Sequence, residues 1–291
     1  MTHPVDLAYV LALVVTLWAA AIGSGLSHRP GEVTAAMADR RRFVRIVVLD
    51  AVGVPLLVYL LVRVLAVPEG YAAGLILVGA ASAGAIGLAV VRFADGDVPL
   101  AIGLIVVLEL GNLVTIPLWS TIMLSGPVRP PLGDVVATLV LGVVLPLIVG
   151  TGLRHVRPQR AQAWARAMRR VSTVSLVLLV AIAVGRDVGD VIGAAAAVSL
   201  VAIVTVTAAL LAGWAVGTPG EASRSTAALV TSSRASTPAL AVASGTYGLS
   251  SDAASAIVVF ALVSLLMSGL VAVALARVRS RAPGPVARAG I

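Results

Sequence analysis

Thirty consecutive residues, Val191 to Gly220, carry no charged side chain, and twenty-four more, Ala253 to Ala276, carry none either. Runs this long and apolar constrain the chain more than any motif in it. About 20 apolar residues in a helix match the hydrocarbon thickness of a bilayer. Only helices and closed barrels satisfy all their backbone groups there, and barrel strands alternate polar with apolar residues. Composition agrees, with 59% of the 291 residues hydrophobic and 12% charged, against roughly a quarter charged in soluble domains. The chain reads as an all-α polytopic membrane protein.

Taking about 20 apolar residues per span predicts nine transmembrane helices, over about 5–26, 43–66, 71–93, 98–124, 132–153, 168–186, 189–216, 223–247 and 252–278. All 21 basic residues are arginine, and their placement tests this count. Alternating the sides after each span puts seventeen on one side, among them Arg40, Arg41, Arg42, Arg154, Arg169 and Arg277. Three, Arg63, Arg129 and Arg186, fall on the other, and Arg234 is within the membrane. Cytoplasmic loops carry the excess of arginine, so the N-terminus is expected outside and the C-terminus in the cytoplasm of a cell membrane. The net charge of +8 therefore reflects topology and headgroup attraction, with no nucleic-acid partner. The N-terminal apolar stretch lacks a charged leader and reads as a retained first helix. The basic segment 154–170, with Trp164, reads as a loop, and 281–291 as a disordered cytoplasmic tail. There are no cysteines, which excludes disulfides and thiolate chemistry.

Two spans carry breaks. One holds Gly79-Ala80-Ala81-Ser82-Ala83-Gly84-Ala85-Ile86-Gly87, a run of small residues at mid-span. The other holds Val230-Thr231-Ser232-Ser233-Arg234-Ala235-Ser236-Thr237-Pro238, with five hydroxyls, an arginine and a proline in nine residues. Pro238 removes a backbone donor, and small residues permit close crossing. Interrupted segments in corresponding positions of two halves point to a secondary-transporter site. Ser82, Gly84, Gly87 and Pro238 are the helix-break candidates. Ser232, Ser233, Ser236 and Thr237 are candidates for substrate or ion binding.

Asp50, Glu109 and Arg234 fall well inside spans. At roughly 3 kcal/mol each, three unpaired charges would rival the stability of a whole domain. Glu109 and Arg234 each lie at a depth of about 16 Å and Asp50 at about 10 Å, at 1.5 Å per residue. The three are thus within mutual reach, and their formal sum of −1 requires either a protonated carboxyl or an added cation. Asn112 lies one turn from Glu109 on the same face. A buried pair that only fixes packing is the bland alternative, but intramembrane charge is functional by default. The histidines His3, His28 and His155 sit in terminal or loop positions. No HExxH, GxSxG or Walker pattern occurs. No enzyme, cofactor or metal site is expected.

Several stretches resemble one family. Leu75 to Gly84, continuing to Ala94-Asp95-Gly96-Asp97-Val98-Pro99-Leu100, resembles the first crossing helix of the bile acid:sodium symporter family. There a "CPGG-T-SN" break is followed by a "GD-ALS" turn. Ser232 to Val242 is similar to that family's second crossing helix, with its "E-GMQNS-LA" pattern. Asp50, five residues before Pro55-Leu56, matches a glutamine before the same proline. Gly23 to Leu26 resembles the family's "MGL". The resemblance implies two inverted repeats, here about 1–124 and 132–278, forming a panel and a core in a single transporter domain. It implies organic-anion substrates moved with sodium.

The same resemblance aligns the family's sodium-ligating residues with Gly87, Leu88, Ala101, Ile105, Ser232, Ala235 and Ser236, and its helix-2 glutamine with Asp50. Hard cations need several oxygen ligands, and most of those oxygens are gone. The resemblance therefore implies that Arg234 stands in for the bound cation, with Asp50 as first partner and Glu109 as second. The expected function is a secondary-active transporter of a small organic anion working by alternating access. Coupling runs to protons through Asp50 or Glu109, or is absent, in preference to sodium. The contrasting reading is a non-transporting membrane sensor or scaffold that keeps the fold. The arginine count makes a direct prediction. Green fluorescent protein fused after Ile291 fluoresces, and alkaline phosphatase fused within 126–131 is active; the reverse pattern overturns the nine-span topology.

Overall fold

Aspartates start two of the long helices, because a carboxylate can satisfy a first-turn N–H that has no intrahelical acceptor. Asp39 accepts from the Arg42 amide at 3.0 Å, and Asp97 accepts from the Leu100 amide at 3.1 Å. In the computed structural model, residues 4–27, 36–37, 39–186, 188–248 and 251–281 are described. They form α1 (Pro4–Ser27), α2 (Arg40–Val64), α3 (Glu69–Ala80), α4 (Ala85–Phe93) and α5 (Val98–Met123). Next comes α6, built from Leu132–Leu139, a π turn at Val140–Val144, and Leu145–Val156. Then follow α7 (Pro158–Arg186), α8 (Val188–Val216), α9 (Glu221–Ser232), α10 (Ser236–Tyr247) and α11 (Asp252–Arg281).

Among the described residues, six helical stretches are long and apolar enough to cross a membrane: most of α1, α2, α5, α6, Ala196–Val216 of α8, and most of α11. The short halves α3/α4 and α9/α10 lie on either side of breaks, and α7 begins with an arginine-rich stretch. Large apolar side chains point outward along the spans, including Leu60, Val114, Leu141, Leu211 and Leu270. Water would penalise such a surface, whereas lipid tails match it. The protein is an all-helical, multi-pass membrane protein.

The segment 154–170 differs from its reading as a loop. Arg157 alone breaks the helix, and α7 starts at Pro158. The reason lies in spacing, since Ala161, Trp164, Ala165 and Met168 recur on one helical face. That face packs against Ile22 and Leu26 at the end of α1, and the arginines project elsewhere. The tail 282–291 lies outside the described residues.

Two prolines shape the ladder of α2 and α6. Pro55 has no N–H for the Ala51 carbonyl, and the turn before it widens to a π turn at Leu49–Gly53. The freed Ala51 oxygen accepts from the Trp119 indole at 2.8 Å. Pro146 follows the π turn of α6 in the same way. The π turn of α2 carries Asp50 inward to full burial.

Packing divides around one cavity. Helices α1, α6 and α7 pack together on one side. On the other side α3 packs on α11, α9 on α8, and α5 beside α3 and α4. The breaks cross between them. At the end where α4 turns into α5, Arg279 donates to the carbonyls of Ala94 and Asp95 and to Ser225 Oγ at 2.8 Å. The Asp97 amide donates to Thr226 Oγ at 2.7 Å. This network ties α4, α9 and α11 at one end. Close approach at α3 depends on Gly74, where a Cβ would sit 2.2 Å from the Ala253 carbonyl oxygen. Gly74→Val is predicted to push α3 off α11 and cost about 2 kcal/mol or more, read as a lowered melting temperature of the detergent-purified protein.

Candidate functional site

Each break leaves polar backbone groups of a half-helix at mid-molecule, and several of them find partners. Beyond Ala80 the chain leaves the helix through Ala81 to Gly84, with Ala83 at a positive φ of 29°, and beyond Ser232 it leaves the helix through Ser233 to Ala235. The two linkers pair. The Gly84 amide donates to the Ser233 carbonyl at 3.2 Å, and the Ala235 amide donates to the Ala81 carbonyl at 3.1 Å. A Cβ on Gly84 would stand 3.0 Å from the Arg234 carbonyl oxygen, so any larger residue makes this approach tight.

The C-terminal end of α3 is capped by side chains from other helices. Asn112 works as a two-pronged clamp: its Oδ1 accepts from the Ser82 amide at 2.7 Å and its Nδ2 donates to the Ser82 carbonyl at 3.0 Å. Thr115 donates to the Ala80 carbonyl at 3.0 Å. Arg234 completes the cap. Its Nη2 donates to the Gly79 carbonyl, its Nε points to the Val78 carbonyl at 3.5 Å, and its Nη1 donates to Asp50 Oδ1. Both side chains of this ion pair are essentially inaccessible, at 1% for Arg234 and 0% for Asp50. A guanidinium suits the position, since helix carbonyl ends carry partial negative charge and its fork offers several donors at fixed angles.

The end of α9 is capped by hydroxyls. Ser233 Oγ and Ser232 Oγ donate to the Leu229 carbonyl at 2.8 and 3.1 Å. Ser264 of α11 donates to the Ser232 carbonyl at 3.0 Å, and Ser268 lies 3.0 Å from Ser232 Oγ. Ser232 and Ser233 thus close their own helix. Pro238 stands in the first turn of α10, three residues after the break and not in it. A missing N–H costs nothing there. Gly87 likewise falls in the first turn of α4.

A cavity of about 350 Å³ opens beside the crossing. One wall is mostly apolar, with Ser172 among its residues, and comes from α1, α6 and α7. The other carries Glu109, Asn112, Ser236 and Thr237 with the linker 233–235. Glu109 does not meet Arg234. The arginine side chain runs toward α2 and α3, whereas Glu109 faces α1 and accepts from Ser24 Oγ at 2.6 Å. Ser236 and Thr237 open α10 and are half-buried at the cavity.

Asp50 and Arg234 therefore meet. Asn112 joins them through the backbone of the first break, and Glu109 lies on the same cavity wall but faces α1. Ser24, Thr115, Ser264 and Ser268 are additional partners. Ser264 and Ser268, one turn apart on an apolar helix, were the one sequence signal that could have marked α11 as part of the crossing. Ser24 reads as a helix terminus in sequence and carries no signal of a distant partner. Removing one member of the ion pair leaves the other buried and uncompensated, which costs about 3–5 kcal/mol. Arg234→Met and Asp50→Asn are each predicted to destabilise by that order, and the double variant by clearly less than the sum, in a thermal-unfolding double-mutant cycle.

Comparison with known families matches residues 14–194 to the Sodium Bile acid symporter family. No curated protein matches the chain. The matched stretch runs from α1 into α8 and takes in the first break, Asp50, Glu109 and Asn112. With more than half of its length covered, the chain belongs to the sodium bile acid symporter family, a family of membrane transporters.

Proposed function

We propose that this protein is a secondary-active transporter of a small organic anion, working by alternating access in the cell membrane without a bound sodium ion. In this reading α3/α4 and α9/α10 each count as one span, and α7 as another. That gives nine spans with the N-terminus outside and the C-terminus in the cytoplasm. Helices α1, α6 and α7 act as a panel and the remainder as a core, related as two inverted repeats. The panel and core rock about the cavity between them.

The observation that carries the reading is the placement of the Arg234 guanidinium against Asp50 and the carbonyl end of α3. A carboxylate beside helix carbonyls is a cation site by its chemistry, and here a fixed cation fills it. The other positions aligned with sodium ligands support the same reading. Ala101 and Ile105 are fully buried apolar side chains, and Leu88 is buried as well. A Cβ at Gly87 would look onto Ser233 and Ile105. Substrate binds in the cavity, where Ser236, Thr237 and the first turn of α10 offer donors to an anionic group. The apolar wall of α1, α6 and α7 takes the substrate's hydrocarbon part.

Proteoliposomes loaded with the purified protein test this. Uptake of radiolabelled cholate, an amphipathic organic anion, is expected to be unchanged when external sodium is replaced by choline. Strict sodium dependence that persists in Arg234→Ala would sink the idea that the guanidinium replaces the ion.

A further inference from the structure

Glu109 is the one charged side chain in the cavity wall whose partner is a hydroxyl from the opposite wall. Ser24 belongs to α1 and Glu109 to α5, and their 2.6 Å hydrogen bond spans the gap between the two packed groups. Its length is that of a charge-assisted O–H···O⁻ bond. Among the described residues, no cation pairs with Glu109. Asp50 of α2 is bonded to Arg234, whose donors are turned to α2 and α3. The other charged residues on the neighbouring elements stand mostly in end turns: Asp6 of α1, Glu69 of α3, Arg92 of α4, Asp134 and Arg154 of α6, and Glu221 of α9. On α2, Arg42 donates to Ser223. The arginines of α7 lie between 160 and 170, before its cavity-lining Ser172, Leu176, Val177 and Val180, apart from Arg186 at its far end. No charged residue falls within α10.

We propose that Glu109 is the proton-coupling group of this transporter and that its bond to Ser24 is the latch between the two walls. The proposal rests on the transport reading above and names its coupling ion. With Arg234 neutralised by Asp50, the charge of the cavity is set by Glu109. Ionised, it repels an organic anion and holds Ser24. A proton arriving from water on the open side adds to a Glu109 carboxyl oxygen, and no other bond is made or broken covalently. The neutral acid is a weaker acceptor for Ser24, so the walls are released, and it removes the charge that excluded the anion. Proton and monovalent anion then cross together, and the proton leaves to water on the far side. The substrate class is an amphipathic monovalent anion, carried with one proton and no net charge.

The absence of cysteine allows a direct test. Spin labels at Val177→Cys of α7 and Leu265→Cys of α11, both lining the cavity, report the separation of the walls in lipid nanodiscs. Two distance populations are expected, with a ratio that changes by up to about tenfold per pH unit, as linkage to a single proton requires. Glu109→Gln, which mimics the protonated acid, is expected to hold the acid population at every pH. Ser24→Ala removes a donor to the carboxylate and moves the midpoint to higher pH by about one unit. In infrared titration, one protonated-carboxyl band disappears in Glu109→Gln. A pH response that survives in Glu109→Gln, or a variant held in the alkaline population, overturns the proposal. A second population that appears with cholate yet ignores pH overturns the proton step and leaves transport standing. A single population at all pH values, with or without cholate, removes alternating access and the latch together.

Discussion

A helix broken inside a membrane exposes carbonyls and amides that neither water nor lipid can satisfy, and the rest of this structure is arranged around meeting that demand. At the end of α3 the partners come from two elements at once: Asn112 and Thr115 of α5, and Arg234 and Ala235 of the second linker. Each unsatisfied group would cost several kcal/mol, so none of the side chains of Asn112, Thr115 and Arg234 is interchangeable with an apolar one. Arg234 in turn must be neutralised, which brings Asp50 inward on the π turn that Pro55 imposes. One break thus determines residues on α5, the second linker and α2.

The second break shows a cheaper solution to the same problem. Its C-terminal end is met by serines, two from α9 and its linker and two from α11, and no charge is required. This asymmetry matters for function. At the first break a guanidinium occupies the carbonyl end and alanine, leucine and isoleucine fill the neighbouring positions. The crossing keeps its geometry with a cation that cannot leave. Glu109, on the same cavity wall as the second linker, meets Ser24 of α1 across the gap.

Much of the helix layout was legible in the chain. Apolar runs mark where helices lie, and Asp97 and Pro99 mark where α5 starts. The small-residue run around Ser82 and the hydroxyl cluster around Arg234 mark the two interruptions. Two readings failed for identifiable reasons. The segment 154–170 is mostly helical because its alanines and Trp164 recur at helical spacing beneath a heavy arginine content. Pro238 follows the break because proline is tolerated in a first turn, so its presence does not locate the interruption to within a turn.

Residue types and depth along the chain determined that Asp50, Glu109 and Arg234 share the membrane interior and that buried arginine needs a carboxylate. They could not decide which one. That choice depends on the direction in which the Arg234 side chain leaves its linker, and the linker's course is set by backbone pairing with Ala81 and Gly84, more than 140 residues away in sequence. The same holds for Ser24 and Glu109, 85 residues apart. Local composition dictates helices and breaks because it acts within a turn or a span. Partnerships across the cavity are decided only when separate helices pack, and charge balance alone is satisfied equally well by either carboxylate.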